Sequence, residues 1–323
     1  MADTAPREPV TATFDLLGDR LTLAILRSAF LNQTRRFGQW LKETGAPPAM
    51  LSERLNTLVE QGLLLKEEAS STRGEYLLTE KGLSVWPILV ALWNWQREWS
   101  AEGALQPELV HDLCGHRGPT VPMCTCCGET VTPRDTRVEL QPGVLASATT
   151  SGRRRSSRAP KDAVQSADFQ FTEIMEVIGD RWSATVTGLA LAGVRRFSEF
   201  RRTSGASPAT LSERLSRLSR VGILVSGQDE PTREYRLTPR GRALFGVFVF
   251  LLDWSRVANP GVTPALHVVH ERCGQVLAPA HRCRGCGVQL TRVAVRFEAP
   301  VGACPPGHLE SANHTLTPIH PPV

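Results

Sequence analysis

Two groups of cysteine and histidine are the residues of this sequence best suited to chemistry. Each group has the form H-x-x-C, nine residues, C-x-x-C-G. Two pairs of ligands, each separated by two residues, suit a tetrahedral zinc ion, because a tight turn brings both side chains of a pair onto the metal. A glycine after a pair permits the positive φ that closes such a turn. The spacing predicts one structural zinc ion within each group, two per chain, and the ligands are His111, Cys114, Cys124, Cys127, His270, Cys273, Cys283 and Cys286.

Other interpretations of these residues stay open. His116 competes with His111 as the fourth ligand, but the matching position in the second group is Gln275. The thiols could also be a reduced set without metal, or a redox C-x-x-C pair. A thiol-disulfide enzyme would need a strand–helix pattern around C-x-x-C, which the Gly-rich and Pro-flanked surroundings do not offer. Cys126 and Cys304 fall outside the pattern and are predicted to be free thiols.

The composition is that of a soluble globular protein. The 323 residues are 41% hydrophobic and carry a formal net charge of +5, which permits a nucleic-acid partner without requiring one. The N-terminus lacks the basic start and apolar stretch of a signal peptide, and the longest apolar run, Leu244 to Leu252, is too short to cross a bilayer. We expect a cytoplasmic protein, where disulfides are rare and metal ligation is the better use of cysteine. Neither a Gly-rich phosphate loop nor a G-x-S-x-G motif is present, so no catalysis is expected.

The sequence contains a long internal repeat. The tripeptide G-D-R at 18–20 returns at 179–181, R-R-F at 35–37 returns at 195–197, and L-S-E-R-L at 51–55 returns unchanged at 211–215. The offset drifts only from 161 to 159, which indicates a domain duplication. The predicted organisation is a first winged helix-turn-helix (13–100), its zinc knuckle (108–140), a basic flexible linker (141–168), a second winged helix-turn-helix (169–258), its knuckle (266–299) and a disordered tail (300–323).

Apolar periodicity places the elements of copy one, residues 13–140. Two short helices meet near Gly18, a further helix ends at Gly45, and Pro48–Gln61 forms a helix that buries Leu51, Leu55 and Leu58. The segments 63–66 and 75–78 then form a hairpin. Thr79 is predicted to cap a long apolar helix, 85–99, as Thr238 caps 244–257 in copy two, residues 169–299. The fold class is mainly α with small β-hairpin wings: two tandem winged helix-turn-helix domains, each with a small metal-binding appendage whose flanking segments pair as strands.

These motifs, G-D-R-[LW], R-R-F, S-P-x-x-L-S-E-R-L and E-Y-x-L-T-x-x-G, together resemble the HxlR type of winged-helix regulators, relatives of the MarR group. The resemblance covers roughly residues 13–99 and 172–258. It implies a homodimeric repressor or activator that binds near-palindromic operators and dimerises through its terminal helices. Copy one departs from the pattern at Pro47, where the family has a capping serine. Neither copy has a cysteine in its first helix, so the thiol-sensing mode of some relatives is not expected.

The winged-helix pattern predicts that the third helix of each copy enters a major groove and that the hairpin reaches the flanking backbone. The candidate DNA-binding residues are Ala49, Ser52, Glu53, Arg54, Asn56, Arg73, Ala209, Ser212, Glu213, Arg214, Ser216, Arg217, Arg220 and Arg233. Arg54 and Arg214 could instead form ion pairs within their modules, and Arg73 and Arg233 could be solvated loop charges. A different function, a protein-interaction module with weakened DNA binding, also stays open.

The duplication predicts a sequence-specific regulator, expected to be a repressor, in which one chain acts as a pseudo-dimer on double-stranded DNA. Its two recognition helices would lie one turn of DNA apart, about 34 Å. The two copies differ in charge. The window 33–82 holds seven basic and seven acidic residues, whereas 193–241 holds ten arginines and five acidic residues. Copy two is therefore predicted to anchor the DNA, helped by the Ser207 cap of its recognition helix.

Overall fold

A computed structural model describes residues 9–67, 74–101, 103–140, 172–227, 234–262 and 266–299. Outside these ranges lie the predicted linker (141–168) and tail (300–323), which includes Cys304, and also Arg73 and Arg233. The elements of copy one are α1 (Pro9–Leu17), α2 (Arg20–Leu31), α3 (Phe37–Thr44), α4 (Pro48–Glu60), β1 (Leu64–Glu67), β2 (Glu75–Leu78), α5 (Glu80–Leu83), α6 (Trp86–Trp99), β3 (Glu108–His111), β4 (Val121–Cys124) and β5 (Thr136–Leu140).

Copy two repeats this order. Its elements are α7 (Thr172–Ile178), α8 (Arg181–Leu191), α9 (Phe197–Ser204), α10 (Pro208–Arg220), β6 (Leu224–Ser226), β7 (Tyr235–Leu237), α11 (Pro239–Arg242), α12 (Phe245–Val257), β8 (Leu266–His270), β9 (Gln275–Val276), β10 (Pro279–Arg282) and β11 (Val295–Glu298). Each copy has a first helix broken at a glycine (α1 and α2, α7 and α8), two further helices, a two-stranded wing, a four-residue helix and a closing helix, which confirms the predicted fold class. In this count α4 and α10 are the third helices.

The helix boundaries follow from local chemistry. Asp19 accepts the backbone N–H of Thr22 and so caps α2, which explains the predicted break after Gly18. Gly45 ends α3 with φ 61°, in the left-handed region that glycine tolerates. Ser207 accepts the N–H of Thr210 at the start of α10, as predicted. The wings are antiparallel pairs, β1 with β2 and β6 with β7.

The prediction that Thr79 and Thr238 cap the long closing helices was wrong. Thr79 accepts the N–H of Gly82 and caps the four-residue helix α5, and Thr238 does the same for α11. The backbone of Gly82 lies so close to the carbonyl of Leu63 that a Cβ there would be 2.1 Å from that oxygen. The chain must therefore turn at this contact before the closing helix begins.

Most strands of the Cys/His segments pair between the copies. The exception among the described strands is β9, which pairs with β8 of its own copy. Strand β3 pairs with β11, β5 with β8, and β4 with β10, all antiparallel. The prediction that each appendage forms its own strand pair was wrong in this respect. The sequence of one copy supplies the alternation for a strand but not its partner, and the duplicated copy provides an equivalent edge. Residues 108–140 and 266–299 are thus one interleaved layer.

The copies also meet through their helices, in a nearly symmetric way. The indole N–H of Trp95 on α6 donates to the carbonyl of Arg240, and that of Trp254 on α12 donates to the hydroxyl of Ser84. The Arg240 guanidinium lies over the Trp95 ring at 5.0 Å, and the Lys81 ammonium lies over the Trp254 ring at 6.0 Å. Each closing helix therefore docks against the short helix of the other copy.

The larger of two hydrophobic clusters among the described residues runs through both copies. It joins Leu51 and Leu211 of the third helices to Cys124, Val131 and Val268 of the interleaved layer. The interleaved layer therefore shares the core of the winged helices, and its strands β8 and β10 pack against α12. Among the described residues no helix is long and apolar enough to cross a membrane.

Candidate metal centres and nucleic-acid interface

The eight predicted ligands form two clusters, and each cluster takes two residues from each copy. Site A contains His111, Cys114, Cys283 and Cys286, and site B contains Cys124, Cys127, His270 and Cys273. In each site the four ligand atoms lie within 4.8 Å of one another. The predicted ligand set is therefore brought together, but its grouping within each copy was wrong. The reason is the strand exchange, since β3 ends at His111 beside β11 and β10 leads directly into Cys283.

The interatomic distances fit a tetrahedral ion. In site A the sulfurs of Cys114 and Cys283 are 3.7 Å apart, and His111 Nδ1 lies 3.3 Å from Cys114 Sγ and 3.4 Å from Cys286 Sγ. A zinc ion with Zn–S near 2.3 Å and Zn–N near 2.0 Å requires edges of about 3.8 Å between sulfurs and about 3.5 Å between sulfur and nitrogen. The geometry therefore matches three thiolates and one imidazole.

Site B has the same geometry. The sulfurs of Cys124 and Cys273 are 4.0 Å apart, and His270 Nδ1 lies 3.4 Å from both Cys127 Sγ and Cys273 Sγ. His270 is fully buried, and its other ring nitrogen, Nε2, has no hydrogen-bond partner among the described residues. With Nδ1 on a metal, the proton of His270 would reside on this nitrogen.

Four glycines close the ligand turns as the sequence predicts. Gly115, Gly128, Gly274 and Gly287 each follow the second ligand of a pair and adopt φ between 67° and 74°. Each donates its N–H to the carbonyl of the first ligand of that pair, at 2.8 to 3.0 Å. This common turn aims both side chains of a pair toward one point, so the metal-site geometry is a property of local sequence even though the pairing of turns is not.

The pKa values of two thiols in site A are shifted in opposite directions. The backbone N–H of Val288 donates to the Cys286 sulfur, and this contact lowers the pKa of that thiol. The backbone N–H of His116 favours the Cys114 thiolate in the same way, but desolvation and the adjacent Cys286 and Cys283 outweigh it and raise the pKa of Cys114. The neighbouring sulfurs therefore compete for negative charge, which a dication would relieve.

Neither cluster includes three further residues of this layer, His116, Cys126 and His281. His116 lies outside site A and packs against the backbone of Gly285, where a Cβ would be 2.8 Å from the His116 Cβ. Cys126 is exposed next to site B, and partial burial followed by the charge of nearby Cys273 raises its pKa. His281 is buried, and its Nε2 and Nδ1 bond the carbonyl of Pro87 and the hydroxyl of Thr120. Burial lowers the pKa of His281 to about 4, so it is a neutral structural residue.

The third helices, α4 and α10, expose the faces predicted to meet DNA. Leu51, Leu55 and Leu58 are buried, as are the matching leucines of α10. The opposite face is exposed, and its residues are Ala49, Ser52, Glu53, Asn56, Ala209, Ser212, Glu213, Ser216 and Arg220. The exposed side chains are short near the helix starts, which leaves room for close approach to base edges.

Two of the predicted contact residues hold ion pairs within their modules. Arg54 Nε lies 3.1 Å from the Asp19 carboxylate, and Arg214 Nε lies 2.6 Å from that of Asp180. The same aspartates cap α2 and α8, so each one joins the start of the second helix to the recognition helix. Sequence reasoning assigned no role to these aspartates. The signal was the joint recurrence of G-D-R and L-S-E-R-L, whose polar members prove to be partners.

The basic residues of copy two differ in availability. Arg217 is held by Glu176 of α7, with its Nε 2.8 Å from the carboxylate. Arg220 is exposed at the end of α10 and forms no salt bridge among the described residues. The same is true of Arg201 and Arg202 of α9. The expected DNA-facing charge of copy two therefore rests more on these three arginines than on Arg217.

The fold and the exposed third helices define a winged helix-turn-helix DNA-binding protein. The sequence profile of the HxlR-like helix-turn-helix family matches residues 16–104 and 177–260, together more than half of the chain. The chain belongs to this family, and it is a DNA-binding transcription regulator.

Two relatives of known sequence are described as HTH-type transcriptional regulators. The chain is 40% identical over 147 residues to an uncharacterized HTH-type transcriptional regulator of Mycobacterium tuberculosis, a match covering 45% of this chain and 92% of the relative. A similarly described Bacillus subtilis protein, YvaP, is 31% identical over 90 residues, covering 27% of this chain and 83% of the relative. A solved Pseudomonas aeruginosa structure, provisionally assigned as a transcription factor, is 29% identical and covers 38% of this chain and 85% of that chain, at a TM-score of 0.30.

Proposed function

We propose that one chain of this protein performs the work of a two-subunit repressor: its two recognition helices, α4 and α10, read the two halves of one operator. The observation that carries the proposal is the interleaving of the copies, because β3, β4 and β5 each pair with a strand of the other copy. The length of the mycobacterial relative also supports the proposal, because 45% of this chain matches 92% of that protein. One chain here has the content of two such relatives.

The proposed roles follow from exposure. Ala49, Ser52 and Asn56 of α4, with Ala209, Ser212 and Ser216 of α10, would face base edges in the major groove. Glu53 and Glu213 on the same face would accept from base amino groups. Arg220 would contact phosphates, and for Arg73 and Arg233 the same role rests on their positions in the sequence alone. Arg54 and Arg214 would set the position of the recognition helices through Asp19 and Asp180.

The proposed metal is zinc, one ion in site A and one in site B, with a structural role. Three thiolates and one imidazole at tetrahedral spacing are a donor set that zinc prefers. All four ligand positions are filled by protein, so no coordination position remains for a substrate. Each ion would tie the copies together and fix the separation of the two recognition helices. No catalytic activity is part of this function.

Titration of a labelled DNA fragment containing the promoter nearest the gene tests the proposal. We expect saturation at one chain per operator, a footprint over two half-sites about one helical turn apart, and higher promoter output in a strain lacking the protein. Asn56→Asp with Ser216→Asp should weaken binding at least tenfold, because each places a negative charge against the DNA. Val257→Asp with Val276→Asp, at exposed positions of α12 and β9, adds the same two negative charges elsewhere and is the matched control. A footprint over one half-site, or a need for two chains per operator, would contradict the proposal.

A further inference from the structure

A cavity of about 510 Å³ lies on one side of the junction between the two copies. Its walls come from α1 of copy one, α8 and α12 of copy two, and strands β5 and β8 of the interleaved layer. The cavity is partly open to solvent, and its volume is typical of small-molecule sites. The cavity is distinct from both metal sites, since none of their ligands lines it.

The duplication supplies an internal reference for this cavity. The equivalent position on the other side of the junction holds a second hydrophobic cluster, which includes Trp86, Trp93, Phe30 and Phe297. The rings of Trp93 and Phe297 meet edge to face with centroids 5.5 Å apart, and the Trp93 indole donates to the carbonyl of Pro107.

Every one of these large residues has a smaller counterpart at the cavity. At the offsets of the duplication, Trp86 corresponds to Phe245, Trp93 to Leu252, Phe30 to Leu191 and Phe297 to Val138. Arg27 of α2 likewise corresponds to Gly188 of α8. All five smaller residues line the cavity. Trp182 and Phe248 also line the cavity and are larger than their counterparts Leu21 and Leu89, so the space arises at the five reduced positions.

The lining defines the chemistry of an occupant. Phe14, Trp182, Phe245 and Phe248 present aromatic surface, and most other lining residues are aliphatic. An apolar cavity holds water poorly, which favours a hydrophobic molecule. Two lining residues are charged, Arg137 and Arg181, and no acidic residue is among the described residues that line it. Arg137 is exposed and pairs with Glu139 on its own strand, a surface ion pair that a bound anion could replace.

We propose that this cavity is a binding site for one hydrophobic, aromatic molecule that carries a single negative charge. The rings would lie between α8 and α12, and the charged group would lie toward Arg137 and Arg181. The binding step does not depend on DNA, so it stands or falls separately from the proposed operator recognition.

The fluorescent probe 8-anilinonaphthalene-1-sulfonate tests the site on the full, metal-loaded chain in the absence of DNA. We expect one saturable site per chain. Leu252→Trp and Val138→Phe each restore the residue of the filled side and should weaken probe binding at least tenfold. Val138 is half-buried on β5, so this second variant stays informative if Leu252→Trp fails to fold. Val257→Trp adds the same ring at an exposed position of α12 outside the cavity and should leave binding unchanged.

The charge preference is tested with N-phenyl-1-naphthylamine, which has the same ring system without the sulfonate. Arg137→Gln combined with Arg181→Gln should weaken sulfonate binding at least fivefold and change binding of the neutral probe less than twofold. Absence of saturable binding to the wild-type chain, or equal loss in Leu252→Trp, Val138→Phe and Val257→Trp, would overturn the site. Equal affinity of the wild-type chain for both probes would overturn the assignment of an anionic ligand.

Discussion

The sulfurs of Cys114 and Cys283 lie 3.7 Å apart although 169 positions separate them in the chain. Cys114 belongs to the H-x-x-C pair of copy one and Cys283 to the C-x-x-C pair of copy two. A metal ion that binds both therefore connects the copies directly. Because metal binding contributes free energy only to the state in which all ligands are assembled, it stabilises the association of the copies as well as the local turns.

The exchanged grouping of ligands predicts the zinc content of paired variants. Cys114→Ser with Cys286→Ser removes two ligands of site A and should leave one zinc ion per chain. Cys114→Ser with Cys127→Ser removes one ligand from each site, although both cysteines belong to copy one, and should leave none. Elemental analysis of native, untagged protein measures both. If ligands were grouped within each copy, the two results would be reversed.

Zinc removal should destabilise the whole chain in one step. The core is continuous from the third helices to Cys124 and Val268, so loss of site B loosens residues that also support both winged helices. We expect a chelator to lower the melting temperature of the single cooperative transition seen by circular dichroism near 222 nm. A helical transition that keeps its midpoint after complete zinc loss would show that the metal layer is energetically separate.

The fold could be read from sequence to the extent that it depends on local pattern. The breaks at Gly18 and Gly45, the leucine stripe of α4 and the ligand turns closed by Gly115 all follow from periodicity, capping and positive φ. The separate short helix α5 did not, because the turn at Gly82 is imposed by the carbonyl of Leu63, a contact between segments.

The metal sites could likewise be predicted from sequence only in part. The sequence identifies all eight metal ligands, since each pair needs only a two-residue spacing and a glycine. It cannot say which pairs share an ion, because the ligand spacing is the same in both copies. The pairing of β3 with β11, between copies, is decided by the tertiary fold. The cavity was missed for a related reason. Its signal, Leu252 and Val138 opposite Trp93 and Phe297, becomes visible only when the two sides are compared.

Substitution of Gly18 should weaken the junction between the copies. A Cβ at Gly18 would lie 2.4 Å from the carbonyl oxygen of Phe14 and 2.7 Å from that of Ile178 in copy two. Backbone atoms cannot yield as a flexible side chain does, so we expect Gly18→Ala to lower the free energy of unfolding by about 1–3 kcal/mol. Chemical denaturation measures the change.

The matched control is Gly38→Ala on α3. A Cβ there meets no atom within 4 Å, and alanine is the better helix former. We expect no loss of stability from this change. Equal effects of the two substitutions would mean that the close approach at Gly18 carries no energetic weight.

Copy two should contribute more to DNA affinity than copy one, but through residues other than Arg217. Arg217 is neutralised by Glu176, so its removal would disturb α7 as well as any DNA contact. Arg201 and Arg220 form no salt bridge among the described residues, and their counterparts in copy one are Leu41 and Glu60. We therefore expect Arg201→Ala with Arg220→Ala to weaken DNA binding and to reduce the slope of log K against log salt by up to about 2, since each phosphate contact contributes about 0.9.

The comparison that isolates this asymmetry removes the same number of charges from copy one. Arg35 and Lys42 are exposed basic residues of copy one that form no salt bridge in the described part of the chain, so Arg35→Ala with Lys42→Ala is the matched pair. Both residues have basic counterparts in copy two, Arg195 and Arg202, and their loss removes only charge that the two copies share. The copy-two pair instead removes charge that copy one lacks altogether, at the end of the recognition helix and on the helix before it. Salt titrations of both double variants on one operator fragment measure the difference. An equal or larger loss from Arg35→Ala with Lys42→Ala would mean that the arginines of copy two serve its own fold rather than the DNA.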